Sequence, residues 1–169
     1  MKNVESSIQT CHCFLKPVSF SRNELLSFHE ILDDCQTRRF LPELHEMIQI
    51  TGSLQNMLML LDDTPEHNNS FLRGIYQDGE LIGFISLIDL HYKPTLIYAM
   101  HPESRNLGFM TECVRTFIRS TIDSGLYYRI FSETYKHNLR SYNILISCGF
   151  EQIGYDEEKY YLRIDLQKN

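Results

Sequence analysis

Apolar residues recur three or four positions apart at Leu25, Phe28, Ile31, Leu32 and Cys35, with polar residues between them, which is one stripe of a helix. Just ahead of the stripe, Ser21-Arg22-Asn23-Glu24 matches a capping box, so the spacing predicts that the helix begins there. A short strand, Cys13 to Val18, precedes it. A second helical region runs from Leu41 to Ile50, and a third short helix, capped by Ser53, carries Leu54, Met57, Leu58 and Leu61. Asp62 to Ser70 reads as a polar loop. There the period changes. Phe71 to Tyr76 and Leu81 to Leu90 are aromatic and branched apolar runs separated by Gln77-Asp78-Gly79-Glu80, and Asp-Gly is a strong hairpin signal. Leu96 to Met100 is a further strand, stopped at His101-Pro102 because proline cannot donate to a sheet ladder. Met110, Cys113, Val114, Phe117, Ile118 and Ile122 then predict a long amphipathic helix, with Glu112, Arg115 and Arg119 facing away and Ser124-Gly125 as its end. Tyr127 to Thr134 reads as a strand, Asn138 to Ser147 as a short helix, and Phe150 to Tyr155 and Tyr160 to Leu166 as the final strands. Strands alternating with helices after a hairpin predict a mixed sheet with helices on its faces.

Composition narrows the class. A chain of 169 residues with 43% hydrophobic and 22% charged positions, and with no repeat, linker or low-complexity tract, reads as one domain over residues 1–169. A net charge of -6 with scattered basic residues, Arg38-Arg39 being only a pair, argues against nucleic acid and slightly favours a cationic partner. The five cysteines, in a chain that starts without a basic and apolar leader, point to a reducing cytoplasmic location without disulfides. Cys11-His12-Cys13 lacks a second Cys/His pair at zinc spacing, so no metal is expected and the thiols read as buried or strand-borne. The longest apolar run, Met57 to Leu61, is too short for a membrane span, and a soluble protein is expected.

Two stretches carry candidate chemistry. In Ser104-Arg105-Asn106-Leu107-Gly108-Phe109-Met110, the residues ahead of the long helix have no apolar periodicity. The stretch is either a plain turn, with Ser104 or Asn106 as N-cap, or a cradle for phosphate. A helix start offers unpaired N–H groups and a positive dipole end, Gly108 leaves room for close approach, and Arg105 adds a forked cation. The second stretch runs from Asn138 to Phe150. By itself it reads as a cap, Asn138, and a stop, Gly149.

Taken together and in order, the two stretches resemble the GNAT superfamily of acyl-CoA-dependent N-acyltransferases, most nearly its ribosomal-protein N-terminal acetyltransferase branch. His101-Pro102-Glu103-Ser104-Arg105-Asn106-Leu107-Gly108-Phe109-Met110-Thr111-Glu112-Cys113 is similar to that branch's strand, Pro and Arg/Gln-x-x-Gly-x-Gly/Ala loop, with Met110 replacing the small last residue. Asn138, Ser141, Gly149 and Phe150 match the family's later pattern at its spacing. The resemblance implies an α/β (α+β) fold: a mixed, mostly antiparallel central sheet with a splayed pair of parallel strands and helices on both faces. It implies transfer of an acetyl group from acetyl-CoA, as cosubstrate, to a primary amine by direct attack on the thioester. Backbone groups of Ala99, Met100 and His101 would pair with pantetheine and polarise the thioester carbonyl. N–H groups from Arg105, Asn106, Leu107, Gly108, Phe109 and Met110 would hold the diphosphate, and Asn138 and Ser141 would contact the cofactor.

The catalytic groups are less defined by resemblance. Many members place a Tyr seven residues after the Asn as general acid; here Leu145 stands there, which leaves Ser141 or Tyr142 to protonate the thiolate, Ser141 reading equally as a helix-start Ser bonded to backbone or CoA. Where relatives carry a Glu at the start of the central strand this chain has Thr95, so the base is open among Asp89, His91, Glu133 and water, the side chains reading also as solvated or structural. The acceptor would be a peptide N-terminus or a small-molecule amine, its determinants lying in Ser21 to Ser70 and His91 to Thr95, and the protein a monomer or homodimer. A non-catalytic acyl-CoA-binding sensor or interaction module is the alternative function.

Overall fold

The computed structural model describes residues 7–62 and 70–166; residues 63–69, most of the loop expected from Asp62 to Ser70, lie outside the described residues. The elements in chain order are β1 (Ile8–Gln9), β2 (Phe14–Lys16), α1 (Arg22–Asp33), α2 (Cys35–Phe40), α3 (Pro42–Thr51), α4 (Leu54–Leu61), β3 (Ser70–Gln77), β4 (Glu80–Ile88), β5 (Thr95–Met100), α5 (Phe109–Ser124), β6 (Arg129–Tyr135), α6 (Leu139–Ser147), β7 (Glu151–Tyr155) and β8 (Lys159–Asp165). The strands form an eight-stranded sheet in the order β1-β2-β3-β4-β5-β6-β8-β7. Every neighbouring pair is antiparallel except β5 and β6, so the mixed, mostly antiparallel sheet with a parallel pair is present as the sequence implied.

Helices cover both faces. The stripe of α5, with Met110, Cys113, Val114, Phe117 and Ile118, packs with Leu145 of α6 on one side of the sheet. Phe28, Ile31 and Leu32 of α1, Leu44 of α3 and Met57, Leu58 and Leu61 of α4 pack on the other. Covered on both faces, β4 is buried at every position from Leu81 to Leu87 and reads as a continuous apolar run. Phe28 and Phe84 are fully buried with ring centroids 5.8 Å apart, and truncating either to alanine would cost about 3–5 kcal/mol.

Several expectations shift at the edges. Cys35 is not on the α1 stripe: Asp34 turns extended and its carboxylate accepts from the N–H groups of Gln36 and Thr37, which ends α1 and starts α2. The strand expected to reach Leu90 stops at Ile88, because Asp89 takes φ 54 and its carbonyl accepts from Tyr92 and Lys93 N–H to close a turn. Cys11-His12-Cys13 does not converge: Cys13 is buried, Cys11 exposed, and the His12 ring lies 2.7 Å from a Glu112 carboxylate oxygen. No described helix is long and apolar enough to cross a membrane.

The feature that matters for a site is the joint between β5 and β6. Their register has a single pair, Thr95 with Phe131, flanked by Phe131 N–H donating to Pro94 O at 2.7 Å and Ser132 hydroxyl to Leu96 O at 3.1 Å. Past Leu96 the strands separate.

Candidate functional site

The separated strands open a cavity of about 730 Å3, with Ile97 to Met100 on one wall, Ser132 to Thr134 on the other and α6 at one end. In an antiparallel ladder successive residues turn their N–H and C=O alternately toward and away from the partner strand. His101 N–H donates to Ile82 O at 2.8 Å, so Ala99 and His101 face β4, and Tyr98 and Met100 present their backbone groups to the cleft. This corrects the expectation that backbone at Ala99 and His101 meets a ligand. Ala99 does line the cleft; His101 does not, and its imidazole is held 3.3 Å from Glu30 and accepts from Glu103 N–H.

Beside the cleft, α5 starts at Gly108 with φ 83, a conformation that glycine takes without strain. No side chain caps it. Neither Ser104 nor Asn106 does so; Asn106 itself adopts φ 65, which Asn tolerates. The first intrahelical bond is Glu112 N–H to Gly108 O, which leaves the N–H groups of Phe109, Met110 and Thr111 without a partner inside the helix. Asn106, Leu107 and Gly108 are exposed, Phe109 packs toward His12 at 5.9 Å, and Met110 is buried in the cleft wall. A Cβ added to Gly108 would meet nothing within 4 Å, so the space in front of this helix end is open.

Arg105 behaves differently from the expected phosphate donor. Its guanidinium contacts the Asp34 carboxylate at 2.6 Å, Thr37 hydroxyl at 3.2 Å and Gln36 Oε1 at 3.2 Å, while Nε donates to Met100 O at 3.0 Å. Burial would raise the Asp34 pKa, but Arg105 and the α2 N–H groups outweigh it and hold it below the usual value. Arg105 thus ties the loop to α2.

At the α6 end, Asn138 Oδ1 accepts from Ser141 N–H at 3.2 Å, which leaves its amide nitrogen, unpaired among the described residues, in the cleft wall. The Ser141 hydroxyl also lines the cleft and is hydrogen-bonded to the Tyr98 hydroxyl at 2.9 Å. Burial pushes the Tyr98 phenol well above its ordinary pKa, so it stays protonated. Tyr142 lies on another side of α6: its hydroxyl donates to Gln152 at 3.1 Å and its ring packs on Tyr160, away from the cleft. Leu145 is fully buried.

A second, more apolar cavity of about 400 Å3 adjoins the first and shares Phe40, Leu41, Ile97, Glu133 and Thr134 with it. Among the described residues, Glu133 is the carboxylate that stands in both, and it lies 3.3 Å from Lys159, which also reaches Glu43 at 3.3 Å. Asp89 and Thr95 line the second cavity only, and His91 is exposed outside both. Sequence reading missed Tyr98, Thr134 and Lys159. Tyr98 and Lys159 are ordinary strand residues in the linear chain, and the buried Thr134 hydroxyl is conspicuous only because no described group bonds to it.

Residues 14–151 match a family model described as an acetyltransferase (GNAT) domain. Among solved structures, a GNAT-family acetyltransferase from Bacillus anthracis superposes with a TM-score of 0.73 at 15% identity, covering 96% of this chain and 99% of its own. Spermidine N-acetyltransferase from Vibrio cholerae, solved with CoA and spermine, gives 0.69 at 15% identity over 92% of this chain and 96% of its own. The microcin C7 self-immunity acetyltransferase MccE, solved with acetyl-CoA and AMP, gives 0.68 at 14% identity over 95% and 96%. A search among curated protein sequences finds no match.

Proposed function

The chain belongs to the GNAT acetyltransferase family, and from that premise we propose that it moves the acetyl group of acetyl-CoA to a primary amine by direct attack on the thioester. The observation that carries this reading is the splay beyond Thr95 and Phe131, which leaves the backbone of Tyr98 and Met100 facing an open cleft beside the uncapped start of α5. The pantetheine arm lies along β5 as an added strand, with Asn138 donating to it from α6. The diphosphate sits on the N–H groups of Phe109, Met110 and Thr111, where Gly108 leaves space and the helix dipole is positive. Arg105 positions that loop through Asp34. Within the family, the segment His101 to Cys113 supports the ribosomal-protein N-terminal acetyltransferase branch.

A backbone N–H of Tyr98 or Met100 meets the oxyanion as the amine nitrogen bonds to the thioester carbon and the carbon–sulfur bond breaks. An alkylammonium near pKa 10 must first lose a proton, and a water relay ending at Glu133 receives it. The leaving thiolate, whose conjugate acid lies near 8.5 for a cysteine-like thiol, needs modest help. Ser141, held at the cleft by the Tyr98 hydroxyl 2.9 Å from its Oγ, hydrogen-bonds to the leaving sulfur and relays to it the second proton that the nitrogen loses as the amide forms. The carboxylates beside the second cavity favour a transferase over a non-catalytic sensor.

Thiol release from acetyl-CoA against a panel of amines and N-terminal peptides tests the reading. Turnover is expected, and Ser141→Ala should lower kcat about 10- to 100-fold with little change in the KM for acetyl-CoA. Tight acetyl-CoA binding with no thiol release from any acceptor would favour the sensor.

A further inference from the structure

The second cavity is walled mainly by carbon, from Leu41, Leu44, Met47, Leu61, Ile88 and Ile97. Its charges are few and unevenly placed. Three carboxylates, Glu43, Asp89 and Glu133, face one ammonium, Lys159. Lys159 bridges Glu43 and Glu133; burial would lower its pKa, but the two carboxylates outweigh that and hold it above the ordinary value, and two carboxylates against this one ammonium leave the cluster a net negative charge. Asp89, half-buried at the end of β4, makes no ion pair among the described residues and adds a second negative charge.

An occupant must satisfy both features. A cationic head is drawn toward Glu133, in the wall shared with the cofactor cleft, and toward Asp89. The remainder of the ligand meets hydrocarbon. Glu43 and Glu133 share the one Lys159 ammonium at 3.3 Å each, and a further ammonium carried deeper by a polyamine would lie against Leu44, Met47, Leu61 and Ile88, where it loses hydration without a carboxylate to replace it. Resting on the acetyl-transfer reading, we propose that this chamber takes a primary amine with a single cationic head and an uncharged apolar body, an arylalkyl or branched alkyl group. A free amine of this kind and an N-terminal residue with a bulky apolar side chain share that chemistry.

Isothermal titration of the full chain, first with CoA and then with each amine in the CoA-loaded state, tests the proposal. Phenethylamine is expected to bind at least about tenfold more tightly than spermidine, since burying its ring removes apolar area from water that spermidine cannot match. Peptides beginning with Phe should likewise exceed those beginning with Ser if the source is a protein N-terminus; preference for phenethylamine with neither peptide binding would identify a free amine. Met47→Glu, which alters the wall of this cavity and not of the cofactor cleft, should narrow or invert the preference for phenethylamine over spermidine, and Met47→Leu should keep it. CoA affinity in the same titrations should be unchanged, which also reports that the variants fold. Spermidine binding as tightly as phenethylamine, neither amine binding, or a Met47→Glu variant with an unaltered preference would overturn the proposal while leaving acetyl transfer standing. Failure of the parent chain to bind CoA would instead sink the acetyl-transfer reading itself.

Discussion

Asp34 carries two duties that can be separated by one substitution: it caps α2 through the N–H groups of Gln36 and Thr37, and it holds the Arg105 guanidinium. Asn keeps the cap and loses the charge, so Asp34→Asn should cost about 1–3 kcal/mol, seen as a lower Tm at neutral pH. Asp34 titrates below its ordinary value when folded, so its stabilisation is complete above the unfolded carboxyl pKa of about 3.9 and is lost as pH falls through the folded one. The Tm gap between parent and variant should therefore be flat from about pH 7 to 5 and close as the pH falls below the unfolded value of about 3.9; a gap that widens in acid would refute the assignment. Tyr98 is tested by a cycle. Tyr98→Phe should lower kcat about tenfold without moving the acetyl-CoA KM, and combined with Ser141→Ala should cost no more than Ser141→Ala alone, because one acts through the other. Additive losses would mean that Tyr98 does not act through Ser141. Thr134→Val removes a buried hydroxyl that has no described partner, so it should leave Tm unchanged or raise it. At this scale the resemblance pointed to Asn138, Ser141, Arg105 and Tyr142; the first three line the cleft, Arg105 with its guanidinium engaged by Asp34, whereas the Tyr142 hydroxyl turns to Gln152. Arg105, three residues before Gly108, reads as a phosphate donor until Asp34 is seen beside it, and Ser141 and Tyr142 are adjacent in sequence but about 100° apart around a helix.

Elements were legible in proportion to their periodicity. The stripes of α1 and α5 and the Asp-Gly hairpin left clear marks in the chain, whereas α2, with Cys35-Gln36-Thr37-Arg38-Arg39-Phe40, has no stripe and β1 is too short to alternate. The start of α5 gives a prediction at this scale. Gly108 and Gly79 both have positive φ, 83 and 87, and a Cβ at either meets nothing within 4 Å. Alanine at each should cost a similar amount of stability, about 1 kcal/mol, through backbone strain alone. Only Gly108→Ala should also weaken acetyl-CoA binding, by about tenfold or more, because its methyl group would stand where the diphosphate approaches the helix. Equal acetyl-CoA affinity in the two variants would remove the phosphate from this helix end.

Across the whole molecule, the sheet is an antiparallel half, β1 to β5, joined to β6, β8 and β7 through one register pair. Acetyl-CoA laid along β5 would bridge the two halves, so hydrogen exchange should slow at the Tyr98 and Met100 amides and at Phe109 to Thr111 on binding, with Ala99, already paired to β4, little changed. Protection confined to α6 would place the cofactor elsewhere. The chain by itself determined the striped helices, the hairpin and the Asn138 to Ser147 helix, because periodicity, turn residues and caps act between residues a few positions apart. Only the tertiary structure decided that Arg105 pairs with Asp34, 71 residues away, that Tyr98 meets Ser141 across 43, and that Lys159 reaches Glu43 across 116. Charged and hydroxyl side chains take whichever partners packing brings near, and no local spacing records that choice. The splay between β5 and β6 is of the same kind, since a parallel pair leaves no turn between its strands to set how far they run together.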